Sequence, residues 1–213
     1  MGFLAGPLTP VLDALATWTG SFGIAILILT LIVRLLLFPL QVKSMKSAAK
    51  MREIQPKLKE LQEKYKDNPE ELQRRMVALY QQHNMNPLGG CLPTLIQLPV
   101  MVSLYVVLVQ FAERYANSPE LQAAGIAVTF LGINMLEKSF IMGIAAGLTS
   151  LLMTFSVPGD PMQRRMMAPM SLLTLYIGTI VPAGVALYIS FTNLISALQQ
   201  YLFKIRSEPA KEA

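Results

Sequence analysis

Of the 213 residues, 53% are hydrophobic and only 15% are charged, against about 25% charged in an ordinary soluble domain. The net charge is +5, with a single cysteine, Cys91, and a single histidine, His83. That inventory excludes an intrachain disulfide and a zinc site built from three or four protein ligands, and His83 is too isolated to suggest a Ser–His hydrolase.

Residues 1–21 carry no basic stretch ahead of their apolar residues, so they do not read as a cleavable signal peptide. Val11, Leu15, Trp18 and Phe22 recur at helical spacing. The run is too short to span, and it reads as an interfacial amphipathic helix with Trp18 at headgroup depth. Residues 22–40 follow as the first transmembrane helix, apolar except for Thr30 and Arg34 and with Pro39 near its end.

Residues 41–87 are polar, with ten Lys/Arg against six acids. Leu58, Leu61 and Tyr65, then Leu72, Met76 and Leu79, have helical spacing. Between them, Asp67-Asn68-Pro69-Glu70-Glu71 is a helix restart. Asn68 caps free N–H groups, Pro69 suits the first helical position, and the acids favour the positive helix end. A cytoplasmic helical hairpin is expected, with Pro56 bending or interrupting its first arm. Residues 88–203 hold spans two to five, near 88–112, 140–157, 167–181 and 183–203, with a mixed segment at 113–139. The third and fourth are short for a bilayer of about 30 Å. Residues 204–213 form a polar tail.

Basic residues set the orientation. With the hairpin inside, fifteen Lys/Arg lie on the cytoplasmic side and only Arg114 and Lys138 lie outside. The expected fold is therefore an all-α membrane protein with five transmembrane helices, N-terminus out and C-terminus in.

Arg34 is the anomaly of the first span. An arginine at a helix centre costs about 2.5–3.5 kcal/mol on insertion scales. None of the five spans contains an acid, and Thr30 lies one turn away on the same face. Both points argue for a hydrophilic cavity, although snorkelling to the interface is the competing account. Thr94, Gln97, Ser103, Thr149, Ser150, Thr154, Tyr188, Ser190, Thr192 and Asn193 are further candidates to line it. Ser and Thr in membrane helices also commonly bond their own backbone or a neighbouring helix. Met162, Met166, Met167 and Met170 cluster at the mouth of the fourth span as an adaptable surface or as ordinary packing.

Several of these stretches together resemble one family. Asn86-Pro87-Leu88-Gly89-Gly90-Cys91-Leu92-Pro93 followed by Leu95-Ile96-Gln97-Leu98-Pro99 resembles the second core span of the YidC/Oxa/Alb insertases. Ile32-Val33-Arg34 with Pro39-Leu40 resembles their first, and Lys50-Met51-Arg52-Glu53-Ile54-Gln55-Pro56 their cytoplasmic hairpin. Asp160-Pro161-Met162-Gln163 matches the loop before the fourth span, and Pro182-Ala183-Gly184 through Leu187-Tyr188 to Asn193 resembles the fifth. The resemblance implies a five-helix core around a hydrophilic groove open to cytoplasm and lipid. Arg34 matches the groove arginine; Thr30, Gln97 and Tyr188 match groove-lining positions, and Asn193 joins them from its place in the fifth span. Lys57, Lys59, Lys64 and Lys66 would serve recruitment on the hairpin.

What the resemblance implies is a membrane protein insertase and chaperone of the bacterial cytoplasmic (inner) membrane. It is not an enzyme, it needs no cofactor, and it works without nucleotide hydrolysis. The absence of a Walker-type loop agrees with this. Its partners would be nascent membrane proteins and the lipid bilayer, with the Sec translocon and the ribosome as candidates and no sequence-specific nucleic-acid binding. The short, mildly basic tail differs from the long basic tails of ribosome-docking members. Two alternatives are an assembly scaffold without insertion activity and a small anion transporter using Arg34. The transporter would show repeats and broken helices, and neither is evident.

Overall fold

The computed structural model describes residues 5–83, 92–156 and 161–207. They form eight helices and one two-stranded sheet: α1 (Ala5–Thr19), α2 (Phe22–Lys64), α3 (Pro69–Gln82), α4 (Leu92–Asn117), α5 (Pro119–Ala123), β1 (Thr129–Phe130), β2 (Ile133–Asn134), α6 (Phe140–Ser156), α7 (Pro161–Ile180) and α8 (Ala183–Ser207). The chain divides into two compact units, one made of residues 1–35 and 99–213 and the other of residues 36–98. Among the described residues, two helical stretches are long and apolar enough to cross a bilayer, Phe22–Ser47 with mean hydropathy 2.6 and Gln97–Asn117 with 1.2. Phe140–Ser156 and Pro169–Ile180 are shorter apolar helices.

In the larger unit, α1 turns Leu12 and Ala16 inward and leaves Val11 and Trp18 exposed. The recurring stripe read from the sequence is thus mostly the outward face. Phe22 departs from it: it starts α2 and is buried, stacked on Phe111 of α4 at 4.1 Å between ring centroids. Such a pair adds about 0.5–1.5 kcal/mol to its burial. Arg114 of α4 ties down α1 with two bonds to the Asp13 carboxylate, one of them 2.9 Å.

The expected mixed segment 113–139 resolves into the end of α4, the single turn α5 and the β1–β2 hairpin. Thr129 pairs with Asn134 and Phe130 with Ile133. Leu131 and Gly132 make the turn, both at positive φ (52° and 78°), as a tight two-residue hairpin turn requires. This hairpin is the middle of a strap across two helix junctions, α1–α2 and α7–α8. The Ala127 N–H donates to Gly20 O at 2.8 Å, and Ala127 O accepts from Phe22 N–H. Met135 O accepts from Gly184 N–H, and Glu137 O from Ala183 N–H. Phe130 fills the space beside Gly23, where a Cβ would lie 2.5 Å from the Phe130 side chain.

Helices α6 and α7 approach almost backbone to backbone. A Cβ on Gly143 would lie 2.8 Å from the Thr179 backbone nitrogen, and one on Gly178 2.9 Å from Gly143 Cα. Gly147 meets Leu175 in the same way. Close approach through small residues is the usual source of helix association where lipid removes the hydrophobic drive.

In the smaller unit, α2 does not stop at residue 40. It runs 43 residues to Lys64 with Pro39 and Pro56 inside it, about 64 Å at 1.5 Å per residue. Each proline removes one backbone bond at a cost near 3 kcal/mol. The Ala-, Lys-, Glu- and Leu-rich sequence around Pro56 restores helix on either side. The restart at Asn68 is present in detail. Its side-chain oxygen accepts from the Glu71 N–H at 3.1 Å, and Pro69 occupies the first turn of α3. Among the described residues, Ile54 and Leu58 are the buried hydrophobic side chains of the α2 arm and Ser44 is buried with them, whereas α3 has none fully buried.

Candidate functional site

Four of the five sequence-predicted groove residues, Arg34, Thr30, Tyr188 and Asn193, belong to the larger unit. Arg34 is only 8% exposed. Its Nη2 donates to the Thr192 backbone oxygen on α8 at 3.0 Å. Tyr188, one turn earlier on α8 and buried, is its electrostatic neighbour. The Thr192 oxygen also accepts from the Ser196 hydroxyl at 2.9 Å, and the buried Thr192 Oγ1 has no partner among the described residues.

This arrangement follows from helix geometry. Tyr188, Thr192 and Ser196 recur every four residues on one ridge of α8. Thr30 and Arg34 recur likewise on α2. Thr30 is buried, and its hydroxyl bonds the Ile26 carbonyl of its own helix at 2.6 Å. Its hydroxyl proton is therefore directed to its own helix. Asn193 is half-buried one residue past Thr192. Gln97 is also half-buried but lies in the smaller unit.

The chemistry available at Arg34 is that of a cation in low dielectric. A guanidinium offers five N–H donors and no acceptor. None of the described residues gives it a carboxylate, and the spans read from the sequence contain none. Its acceptor is a neutral carbonyl, so the positive charge is solvated but not cancelled.

Other sequence candidates sort differently. Ser150 and Thr154 of α6 join Ser171 of α7, with hydroxyl separations of 3.4 Å in each case. Ser171 is 1% exposed. Sequence reading passed it over, although a lone serine between Met170 and Leu172 was the available signal. Thr149 and Ser190 bond carbonyls of their own helices. The side chains of Thr94, Met162, Met166 and Met167 lie outside the described residues, as do residues 86–91 of the Asn86–Pro93 motif; Met170 is exposed.

On the hairpin, Lys57, Lys59, Lys64 and Lys66 are all exposed. Lys57 Nζ lies 3.5 Å from His83 Nε2, so His83 meets the opposite arm at the end of α3. Lys64 and Arg75 both sit over the Tyr65 ring, at 5.7 and 5.9 Å. Arg75 also bonds Glu71 at 2.8 Å. That bond, helped by Tyr65, holds its guanidinium above the ordinary arginine value.

The chain is 36% identical over 203 residues to the membrane protein insertase YidC of Campylobacter jejuni, covering 94% of this chain and 37% of that protein. It is 37% identical to the Wolinella succinogenes protein of the same name, covering 99% of this chain and 39% of that one. The chain thus spans under two fifths of the length of these relatives. A crystal structure of an active YidC insertase, with its first transmembrane domain resolved, superposes with a TM-score of 0.73 at 28% identity, over 93% of this chain and 45% of that one. The family model described as 60Kd inner membrane protein matches residues 14–210, and the chain belongs to that family, the YidC-type membrane protein insertases.

Proposed function

We propose that this chain is the inserting core of a membrane protein insertase of the bacterial inner membrane. Five spans, with the N-terminus outside and the C-terminus inside, surround a groove that takes the hydrophilic segment of a nascent membrane protein. The single observation that carries this reading is Arg34: a buried cation whose acceptor is the neutral Thr192 carbonyl, with no carboxylate beside it among the described residues. An acidic or polar passenger segment supplies what that site lacks. Thr30, Tyr188 and Asn193 extend its polar lining. The passenger's apolar helix then leaves for lipid, driven by burial at about 25 cal/mol per Å². No nucleotide is consumed, and the membrane potential adds about 2.3 kcal/mol per charge per 100 mV for acidic segments.

Lys57, Lys59, Lys64 and Lys66 recruit passengers, and they are where the Sec translocon or the ribosome would make contact. The test is insertion of a single-span passenger into liposomes holding only this protein, read as protease protection of the passenger's translocated tail. Wild type is expected to protect it, and Arg34→Ala to lose protection while remaining folded. Equal protection by both removes Arg34 from the mechanism. No protection above empty liposomes by either removes the autonomous insertase.

A further inference from the structure

The strap holds one residue that its own backbone disfavours. Leu131 occupies the first position of the β1–β2 turn at φ 52°, where Asn, Asp or Gly is the usual choice and a leucine is rare. Its side chain is 84% exposed. A leucine kept in a left-handed turn and facing outward has a use for its apolar surface that water does not supply.

Its depth is fixed by the strap. Phe130, the preceding residue, packs against Gly23, and Phe22 N–H bonds Ala127 O. Phe22 and Gly23 are where the long apolar stretch of α2 begins. Leu131 is one Cα step further, about 3.8 Å. The interfacial zone outside the hydrocarbon is about 5–7 Å thick on each side, so the turn sits within it. The surroundings match that depth. Residues 121–136 contain no charged side chain. Trp18 at the end of α1 and Phe140 at the start of α6 are also exposed, at 79% and 69%, at chain positions adjoining the strap. An exposed Trp at a helix end is a side chain of an interfacial belt, and Phe and Leu occupy the apolar face of elements lying at the headgroup–acyl boundary.

We infer that the Leu131–Gly132 turn is a lipid-docking tip that inserts into the headgroup–acyl boundary of the leaflet at the α1–α2 end. Its ligand is phospholipid, not a protein. The inference rests on α2 crossing the bilayer and not on insertion activity. Leucine at the tip anchors the strap, so the two helix junctions it ties are held at bilayer level.

The test uses the full chain with Cys91→Ser and Leu131→Cys, labelled with an environment-sensitive nitrobenzoxadiazole dye, in phosphatidylethanolamine/phosphatidylglycerol liposomes. Circular dichroism checks the fold. The expected result is blue-shifted emission, several-fold weaker iodide quenching than in a dye-labelled unfolded chain, and strong quenching by lipid spin-labelled at acyl carbon 5. Emission and iodide quenching like those of the dye in water overturn it. So does a dye shielded from iodide yet untouched by the spin-labelled lipid, which means a protein contact. A second variant keeps the native cysteine and carries Leu131→Asn, which suits the turn better. Amide exchange at Ala127 and Met135 in liposomes is expected to quicken several-fold all the same; unchanged or slower exchange overturns the anchor.

Discussion

Replacing Arg34 by methionine changes two opposed quantities. The variant loses the hydrogen bond to Thr192 O at 3.0 Å, and a bond from a charged donor contributes about 1.5–3 kcal/mol. It also removes a buried cation whose placement in a span costs about 2.5–3.5 kcal/mol. The Thr192 oxygen is not orphaned, because the Ser196 hydroxyl still donates to it. The difference runs from about −0.5 to about 2 kcal/mol in favour of the variant. At about 2–4 °C per kcal/mol for a chain of this size, thermal unfolding in lipid nanodiscs is expected near the wild-type midpoint or a few degrees above it. Passenger insertion by the same variant is expected to be lost. A midpoint lowered by more than about 4 °C refutes the reasoning, because Arg34 would then be a strut between α2 and α8 and any loss of insertion a consequence of damage.

Three further outcomes follow from contacts elsewhere. Gly143→Ala drives a methyl group to 2.8 Å from the Thr179 backbone nitrogen; overpacking of about 1–3 kcal/mol should lower the nanodisc midpoint, while Gly6→Ala, with nothing within 4 Å, should leave it unchanged. Asp13→Ala breaks the paired bonds to Arg114, whose partners are 28% and 40% exposed; a loss of about 1 kcal/mol at most should appear as faster proteolysis within α1, with the bulk midpoint nearly constant. Asn68→Ala removes the cap on Glu71 N–H, worth about 1 kcal/mol, and hydrogen exchange should quicken in the first turn of α3 with α6 and α7 unaffected.

What could be read from the sequence tracks how local the determinant is. The α3 start was legible to the residue because Asn68, Pro69, Glu70 and Glu71 act within one turn. The apolar runs gave the helices α4, α6, α7 and α8 near their observed limits. The strap was not legible. Its bonds join Gly20, Ala127, Met135 and Gly184, residues brought together only by the packed helices, and its turn carries leucine where the usual signal is Asn-Gly. The continuity of α2 was not legible because the polar residues from Gln41 onward mark the end of the apolar run and not the end of the helix, which takes Pro39 and Pro56 inside it. At the candidate site, Arg34 stood out because a charge in an apolar run is costly wherever it points. Its acceptor did not, since a backbone carbonyl at Thr192 carries no side-chain signature. The glycines that bring α6 and α7 together were visible as letters, but their partner surface was not.

The bond between Arg34 and Thr192 joins residues 158 positions apart, and that separation is also an interval of time. Synthesis proceeds at about 5–20 residues per second, so some 8–30 s pass between the emergence of the arginine and that of its acceptor. The strap closes equally late, because Gly184 must be made before Met135 can bind it. During that interval the first long apolar stretch carries a cation whose native acceptor does not yet exist. Its early membrane residence therefore depends on water or on a surrogate acceptor, and a chain stalled before residue 192 has the helix that carries the charge without the helix that receives it.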